Sequence, residues 1–229
     1  MKKGDERREA ILDAAERLFY DKGYENTSVQ DVLDKLSLSK GGFYHHFESK
    51  LKLLEAICAR RSERAYRQSE AAVEACTGNA VAKLNAVLSR IAFFESDSVD
   101  YIVIMLKVVY RDGCVQLRDA LSRMTLERYQ NLITRIIHEG VDQKLFYTPF
   151  PDGMGRIILM LNNALTDETA CLLSQMIRDS DQTGALLELL EAYRYSVETL
   201  LNAPHGSIEI FDLQSIVDLA GRLCAYAEQ

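Results

Sequence analysis

Apolar side chains recur along this chain at intervals of three and four residues, almost from end to end, and this spacing predicts helices throughout. Asp5 is placed to cap a first helix, with Glu6 and Glu9 near its N-terminal dipole. Ile11, Ala15, Leu18 and Phe19 form its apolar stripe, and Gly23 ends it where a left-handed residue is wanted. Ser28 and Asp31 make a capping-box-like pair for a second helix, whose inner face is Val29, Val32, Leu33 and Leu36. After the tight Ser37-Leu38 connection, Ser39 caps a very short third helix through His46. Ser49 caps a long fourth helix reaching Cys76. Further helices are predicted over Ala80–Glu95, Asp100–Tyr110, Val115–Asp142, Asp152–Arg178, Ala185–Leu201 and Ser207–Ala227. No stretch shows sustained strand alternation. The expectation is an all-α chain of about ten helices.

Composition narrows this picture. The 229 residues include only 12 Gly and 3 Pro, too few turn residues for a sandwich or barrel. At roughly 100–200 residues per domain the length allows one large unit or two small ones. The longest charge-free runs are ten residues, such as Ile157 to Thr166, whereas a spanning helix needs about 20, so no membrane crossing is expected. The first residues lack the apolar core of a signal peptide. Cys58, Cys76, Cys114, Cys171 and Cys224 are odd in number and widely spread, which fits buried free thiols in a reducing cytoplasm. The net charge of −7 is unevenly distributed: residues 1–65 carry +1 and residues 66–229 carry −8. Two parts with different partners are expected.

Residues 5–50 carry the most information. Three short amphipathic helices, the last two joined by a tight turn, form a helix-turn-helix, whose second helix enters the major groove of DNA. In Ser39-Lys40-Gly41-Gly42-Phe43-Tyr44-His45-His46-Phe47 the two glycines each cost about 1 kcal/mol relative to Ala. They bare a patch where a phosphate backbone can approach. Ser39, Lys40, Tyr44 and His45 place donors around it, while Phe43 and Phe47 anchor the opposite face. His45 and His46 diverge by about 100° and do not form a metal face. A solvated helix face is the reading favoured for Arg60, Arg61 and Arg64.

Three blocks, Ala10 to Phe19, Lys22 to Val29 and Leu38 to Lys50, closely resemble the TetR family of bacterial transcription regulators in order and separation. The resemblance covers about residues 5–65. It implies a homodimeric, ligand-responsive DNA-binding protein, usually a repressor. Residues 1–65 would be the DNA-binding domain with the first half of the connecting helix. Residues 66–229 would be a helical-bundle domain for ligand binding and dimerisation. Carried onto matching positions, Thr27, Ser28 and Gln30 would touch phosphate or base edges, Ser39, Lys40, Gly41, Tyr44 and His45 would lie on the recognition helix, and Lys50 would bind phosphate. Gly42 stands where Thr or Ala is commoner in the family, and Phe43 where Leu is commoner. These departures bear on which base step is read.

The partners expected are a pseudo-palindromic double-stranded DNA operator, a second copy of the chain, and a small apolar or cationic effector. The effector residues expected are Phe93, Tyr101, Met105, Tyr129, Met160 and Asn162, with Phe94, Tyr110 and Met124 on the same helices. Aromatic and Met side chains suit an adaptable apolar pocket, and a buried Asn must find a partner, in a ligand or across a dimer. The apolar stripes of Asp152–Arg178 and Ala185–Leu201 are expected to divide between core and partner. No cofactor, metal or catalytic residue is expected. The Ser37-x-x-Lys40 string and the calcium-loop-like run from Asp179 lack the rest of their motifs, and nothing directs the chain to secretion, where the Asn26-Thr27-Ser28 sequon would be used. The alternative is a helix-turn-helix protein controlled by a protein partner, and a helical enzyme with a degenerate helix-turn-helix is a third possibility.

Overall fold

The computed structural model describes residues 3–91, 99–110, 114–176, 182–210, 218, 219, 221 and 222. Among them the elements are helices: α1 (Lys3–Lys22), α2 (Val29–Leu36), α3 (Lys40–Tyr44), α4 (Lys50–Ala75), α5 (Ala80–Ile91), α6 (Val99–Ile104), a π-helical turn (Met105–Val109), α7 (Val115–Asp142), α8 (Pro151–Met176) and α9 (Thr183–Leu201). The chain divides into two compact units, Met1–Glu63 and Arg64–Gln229, and α4 contributes to both. No described helix is long and apolar enough to cross a membrane.

In the first unit, Ile11, Leu12, Phe19, Leu33, Phe43, Leu53 and Leu54 are almost fully buried. α1 starts earlier than its caps suggested, so Asp5 lies inside the first turn rather than before it, still favourably placed toward the dipole. Gly23 takes the left-handed conformation expected of it, with φ 80°. The α2 capping box is complete. Ser28 Oγ accepts from the Asp31 amide, and Asp31 Oδ2 accepts from the Ser28 amide at 2.7 Å. The Lys22 ammonium and then the Ser28 donors hold the Asp31 carboxyl far below the usual carboxylate range. At the other end Ser37 turns left-handed and the Leu38 amide donates to Leu33 O at 2.9 Å, closing the connection to α3.

Arg60 and Arg61 do not form the solvated face expected of them. Arg60 meets Glu9, Asp13 and Glu16 at 3.1, 2.7 and 2.6 Å. Arg61 meets the other Glu16 oxygen at 2.7 Å and reaches the Tyr20 hydroxyl. Four acids and phenols on α1 face two guanidiniums on α4, a network that the α1 sequence read alone does not reveal. Burial pushes the Glu16 carboxyl up, but hydrogen bonds from Arg61, Tyr20 and Arg60 outweigh it and the carboxyl titrates low.

In the second unit α7 packs against α5 and α8, α8 against α9, and the π-helical turn against α7 and α8. Asp100–Tyr110 is thus not one regular helix. The chain widens after Ile104, and the Tyr110 amide donates five residues back to Met105 O at 3.0 Å. The helix expected to start at Ser207 also differs. Residues 207–210 are not helical, and Ile208 and Ile210 are buried. The Asn85 side chain holds this segment from α5, donating to Ser207 O at 3.0 Å and accepting from the Glu209 amide at 3.1 Å. Of the described cysteines only Cys58 is buried and Cys171 is exposed, so the thiols are not uniformly hidden. Cys224 lies outside the described residues.

Glu198 is a buried carboxylate on α9 that accepts from the Ile208 amide at 3.1 Å and pairs with Arg194 and His205, both at 3.2 Å. Burial raises its pKa, but the backbone donors, Arg194 and His205 outweigh that and leave it lowered. A carboxyl lowered on folding adds stability that is present above its ordinary value and is lost as pH falls through the depressed folded value. Glu198→Gln is therefore expected to lower stability by about 1–3 kcal/mol near neutrality. Its deficit relative to the parent should shrink in acid unfolding series below the ordinary glutamate range. A deficit independent of pH down to pH 2 contradicts this account.

Candidate nucleic-acid interface and bundle interior

The exposed turn of α3 is the candidate interface. Ser39 precedes it in extended conformation, and its Oγ accepts from the Gly42 amide at 3.2 Å. Phe43 is wholly buried and Phe47 nearly so, with ring centroids 6.0 Å apart, so these rings fix the rotation of α3. That rotation leaves Ser39, Lys40, Gly41, Tyr44 and His45 facing outward, with Tyr44 54% exposed. A Cβ added at Gly41 would meet nothing within 4 Å, whereas one at Gly42 would touch Ser39 Oγ at 3.4 Å. Packing in this chain therefore does not require glycine at 41. The open space there is what a closely approaching polar backbone would need.

Ser28 and Gln30 are exposed at the start of α2, and Gln30 is held by Asp34 at 2.7 Å. Thr27 is corrected. It is 1% exposed, and its hydroxyl lies 3.1 Å from Leu18 O and 2.8 Å from Gly23 O. Its side chain fastens the turn after α1 and is withdrawn from the surface. Lys50 is partly engaged as well. Its ammonium donates to Tyr24 O at 2.9 Å and lies 4.3 Å from the Tyr24 ring, so a phosphate there would share the charge with this loop.

Gly41→Ala gives opposite changes in two measurements. Helix propensity favours Ala by about 1 kcal/mol and nothing in the protein obstructs the methyl, so the melting temperature should rise slightly. Affinity for duplex DNA, measured by fluorescence anisotropy, should fall. Unchanged affinity would remove the argument for close approach at this position.

The residues expected around an effector are not all brought together. Phe93 and Phe94 lie outside the described residues. Met105 is buried on the π-helical turn and Tyr101 is half-buried on α6. Tyr129 is buried, edge-on to Tyr66 with centroids 5.2 Å apart, and its hydroxyl is 3.4 Å from Ser69 Oγ. Met160 is corrected. It is 54% exposed on the outer side of α8 and does not line the interior of its own protomer. Asn162 is 2% exposed, inside the bundle rather than on a face open to a second copy. Asn163 is already committed, donating to Ser122 O at 3.2 Å. His138 and His205 pair with Asp152 and Glu198. Among the described residues no three His, Cys, Asp or Glu side chains gather as a metal site.

An exposed polar turn on the last of three helices, the second and third joined by a tight connection, is the arrangement of a helix-turn-helix. Residues 11–57 match the model for bacterial regulatory proteins of the tetR family. It is 34% identical over 97 residues to the HTH-type transcriptional activator FasR of Mycolicibacterium smegmatis, covering 42% of this chain and 44% of that one. It is 37% identical over 51 residues to the HTH-type transcriptional repressor KstR2 of the same organism, covering 22% and 25%. The chain thus matches less than half the length of these curated relatives. The fold extends further. A TetR-family regulator from Pectobacterium atrosepticum superposes with a TM-score of 0.58 at 20% identity, covering 88% of this chain and 97% of that one. FadR of Bacillus subtilis, solved in complex with stearoyl-CoA, gives 0.57 at 18%, covering 86% and 98%.

Proposed function

We propose that this chain binds a pseudo-palindromic DNA operator in the cytoplasm as a homodimer and releases it when a small molecule enters the second unit. The outward turn from Ser39 to His45, with open space at Gly41, carries the reading. Tyr44 and His45 would read base edges, while Lys40, Ser28, Gln30 and the shared Lys50 would set register on phosphates. Two recognition helices reach successive major grooves when about 34–36 Å apart. A ligand that prefers one state of the bundle changes that separation only as far as its affinities for the two states differ.

Support for the dimer comes from the outer faces of α8 and α9. Ile157, Met160, Ala164 and Cys171 are exposed at helical spacing on α8, as are Ala192 and Tyr195 on α9, while the opposite faces are buried in the core. Two such faces related by a two-fold axis make a four-helix interface. Support for an effector comes from the FadR neighbour, whose similar bundle was solved with an acyl-CoA. Released at rising ligand, the protein would act as a repressor.

Selection of random duplexes by the purified protein tests the reading. A two-fold symmetric consensus is expected. Tyr44→Ala and His45→Ala should each cost about 1–3 kcal/mol of discrimination at the bases they contact. Absence of any enriched sequence, or a monomer in sedimentation at micromolar concentration, overturns it.

A further inference from the structure

We infer that binding of duplex DNA takes up a proton from solvent at His45, so that affinity for DNA rises as pH falls. This rests on the DNA-binding reading above and adds a regulating ion to it. The chain has four histidines. Two of them have a carboxylate partner, His138 with Asp152 at 2.7 Å and His205 with Glu198 at 3.2 Å. Among the described residues no carboxylate pairs with His45 or His46. These two are adjacent at the outward end of α3, edge-on to each other with ring centroids 5.0 Å apart. His45 is exposed and His46 half-buried. The His45 amide is fixed on Gly41 O at 3.1 Å, so the ring is the part left to respond.

The surrounding charges set the direction. From α1 this end of α3 is faced by Arg8, whose guanidinium lies 5.3 Å over the Phe47 ring, and that ring stands 6.5 Å from His46. Arg8 itself reaches Glu9 at 3.4 Å. The nearby acids are engaged elsewhere. Glu9, Asp13 and Glu16 meet Arg60, and Glu16 also meets Arg61. On α2, Asp31 is held by Lys22 and Asp34 by Gln30. On α4, Lys52 is held by Glu55 at 2.7 Å and also draws Glu48, in the loop before it. A protonated His45 in the free protein therefore has a second imidazole and a guanidinium nearby, and none of these carboxylates to offset them.

A duplex supplies what the chain does not. Its phosphates are anionic acceptors, and guanine offers two further acceptors in the major groove. A protonated imidazole donates from both nitrogens and a neutral one from a single nitrogen, so the duplex favours the protonated ring. The complex then holds more protons than its separated parts, and by reciprocity protons strengthen DNA binding. Imidazoles change charge between about pH 5 and pH 8. The gain is complete where the ring is charged both free and bound, and it is lost by the pH at which the ring is neutral in both.

The full-length parent is compared with His45→Gln, His45→Lys and His46→Gln on two probes, the selected consensus duplex and a mixed-sequence duplex. Affinity is read by anisotropy across the imidazole range, proton uptake by calorimetry in buffers of different ionisation enthalpy, and folding by melting temperature at each pH. From about pH 6 to about pH 8 the parent should lose roughly tenfold or more in affinity. Its salt slope should be steeper at the lower pH, by about 0.9 for each phosphate the new cation meets. His45→Gln should flatten the profile near the parent's high-pH affinity, and His45→Lys should flatten it near the low-pH affinity. His46→Gln should keep the parent's profile. Uptake on both duplexes places the acceptor on the backbone, and uptake on the consensus alone places it on a base edge. A flat profile in the parent, a parent-like slope in His45→Gln, or a slope lost in His46→Gln overturns the inference. The operator reading fails separately, where the parent enriches no sequence, and the mixed-sequence duplex still reads the proton. A parent that binds neither duplex at any pH overturns both.

Discussion

Replacing Phe43 with alanine is expected to cost the first unit about 3–5 kcal/mol and to abolish DNA binding. The ring is completely buried, packs against Phe47 at 6.0 Å and lies edge-on to Tyr44 at 5.4 Å. α3 is only five residues long and already carries two glycines, so it has little intrinsic helical stability and depends on this anchor. The penalty is comparable to the lower end of whole-domain stability. Hydrogen exchange gives the cleanest measurement. Amides of α1, α2 and α3 should lose most of their protection while those of α7, α8 and α9 keep it. Tyr44→Ala, which removes an exposed ring, should leave protection in α1 and α2 unchanged and alter only sequence preference. Retained protection with Ala at 43 would show that α2 and α4 hold the unit without this ring.

What could be read from the sequence was local. Ser28 with Asp31, Gly23, and Phe43 with Phe47 lie within a few residues of the partners that give them meaning, so their spacing already specifies a cap, a stop and an anchored face. Thr27 and Met160 fail for the converse reason. A Thr beside an N-cap and a Met in an apolar run look alike whether they face DNA, core or solvent. Only the return of the chain at Leu18 and the rotation of α8 decide. Arg60 and Arg61 were similarly opaque, because their acids sit 44 or more residues away on α1. Asn162 was legible as a polar residue interrupting an apolar run. The π-helical turn had no signal at all in apolar spacing, because one added residue shifts the face by a single position.

Gly140→Ala should be the most damaging single methyl in the second unit. A Cβ at this position would stand 2.0 Å from Phe146 Cδ2 and 2.4 Å from Cε2, distances at which the ring must move. The ring has little freedom to do so. Phe146 is 3% exposed, and the turn that carries it is closed by the Leu145 and Phe146 amides, which donate to Gly140 O at 2.8 and 3.0 Å. Lys144 is held left-handed with φ 60°, and the Tyr147 amide ties the following residue to Leu201 O at 2.7 Å, so the backbone is fixed on both sides of the ring. Overpacking a core ordinarily costs about 1–3 kcal/mol, and here the upper end is expected because the obstruction is ring rather than a flexible chain end. For a chain of this length that corresponds to a drop in melting temperature of roughly 6–12 °C. Phe146→Leu alone should also destabilise, by opening a cavity. In the double variant the methyl occupies space that the smaller side chain vacates, so its loss should be less than the sum of the singles by about 1 kcal/mol or more. Strict additivity would place the cost in the helix backbone and not in the contact with Phe146.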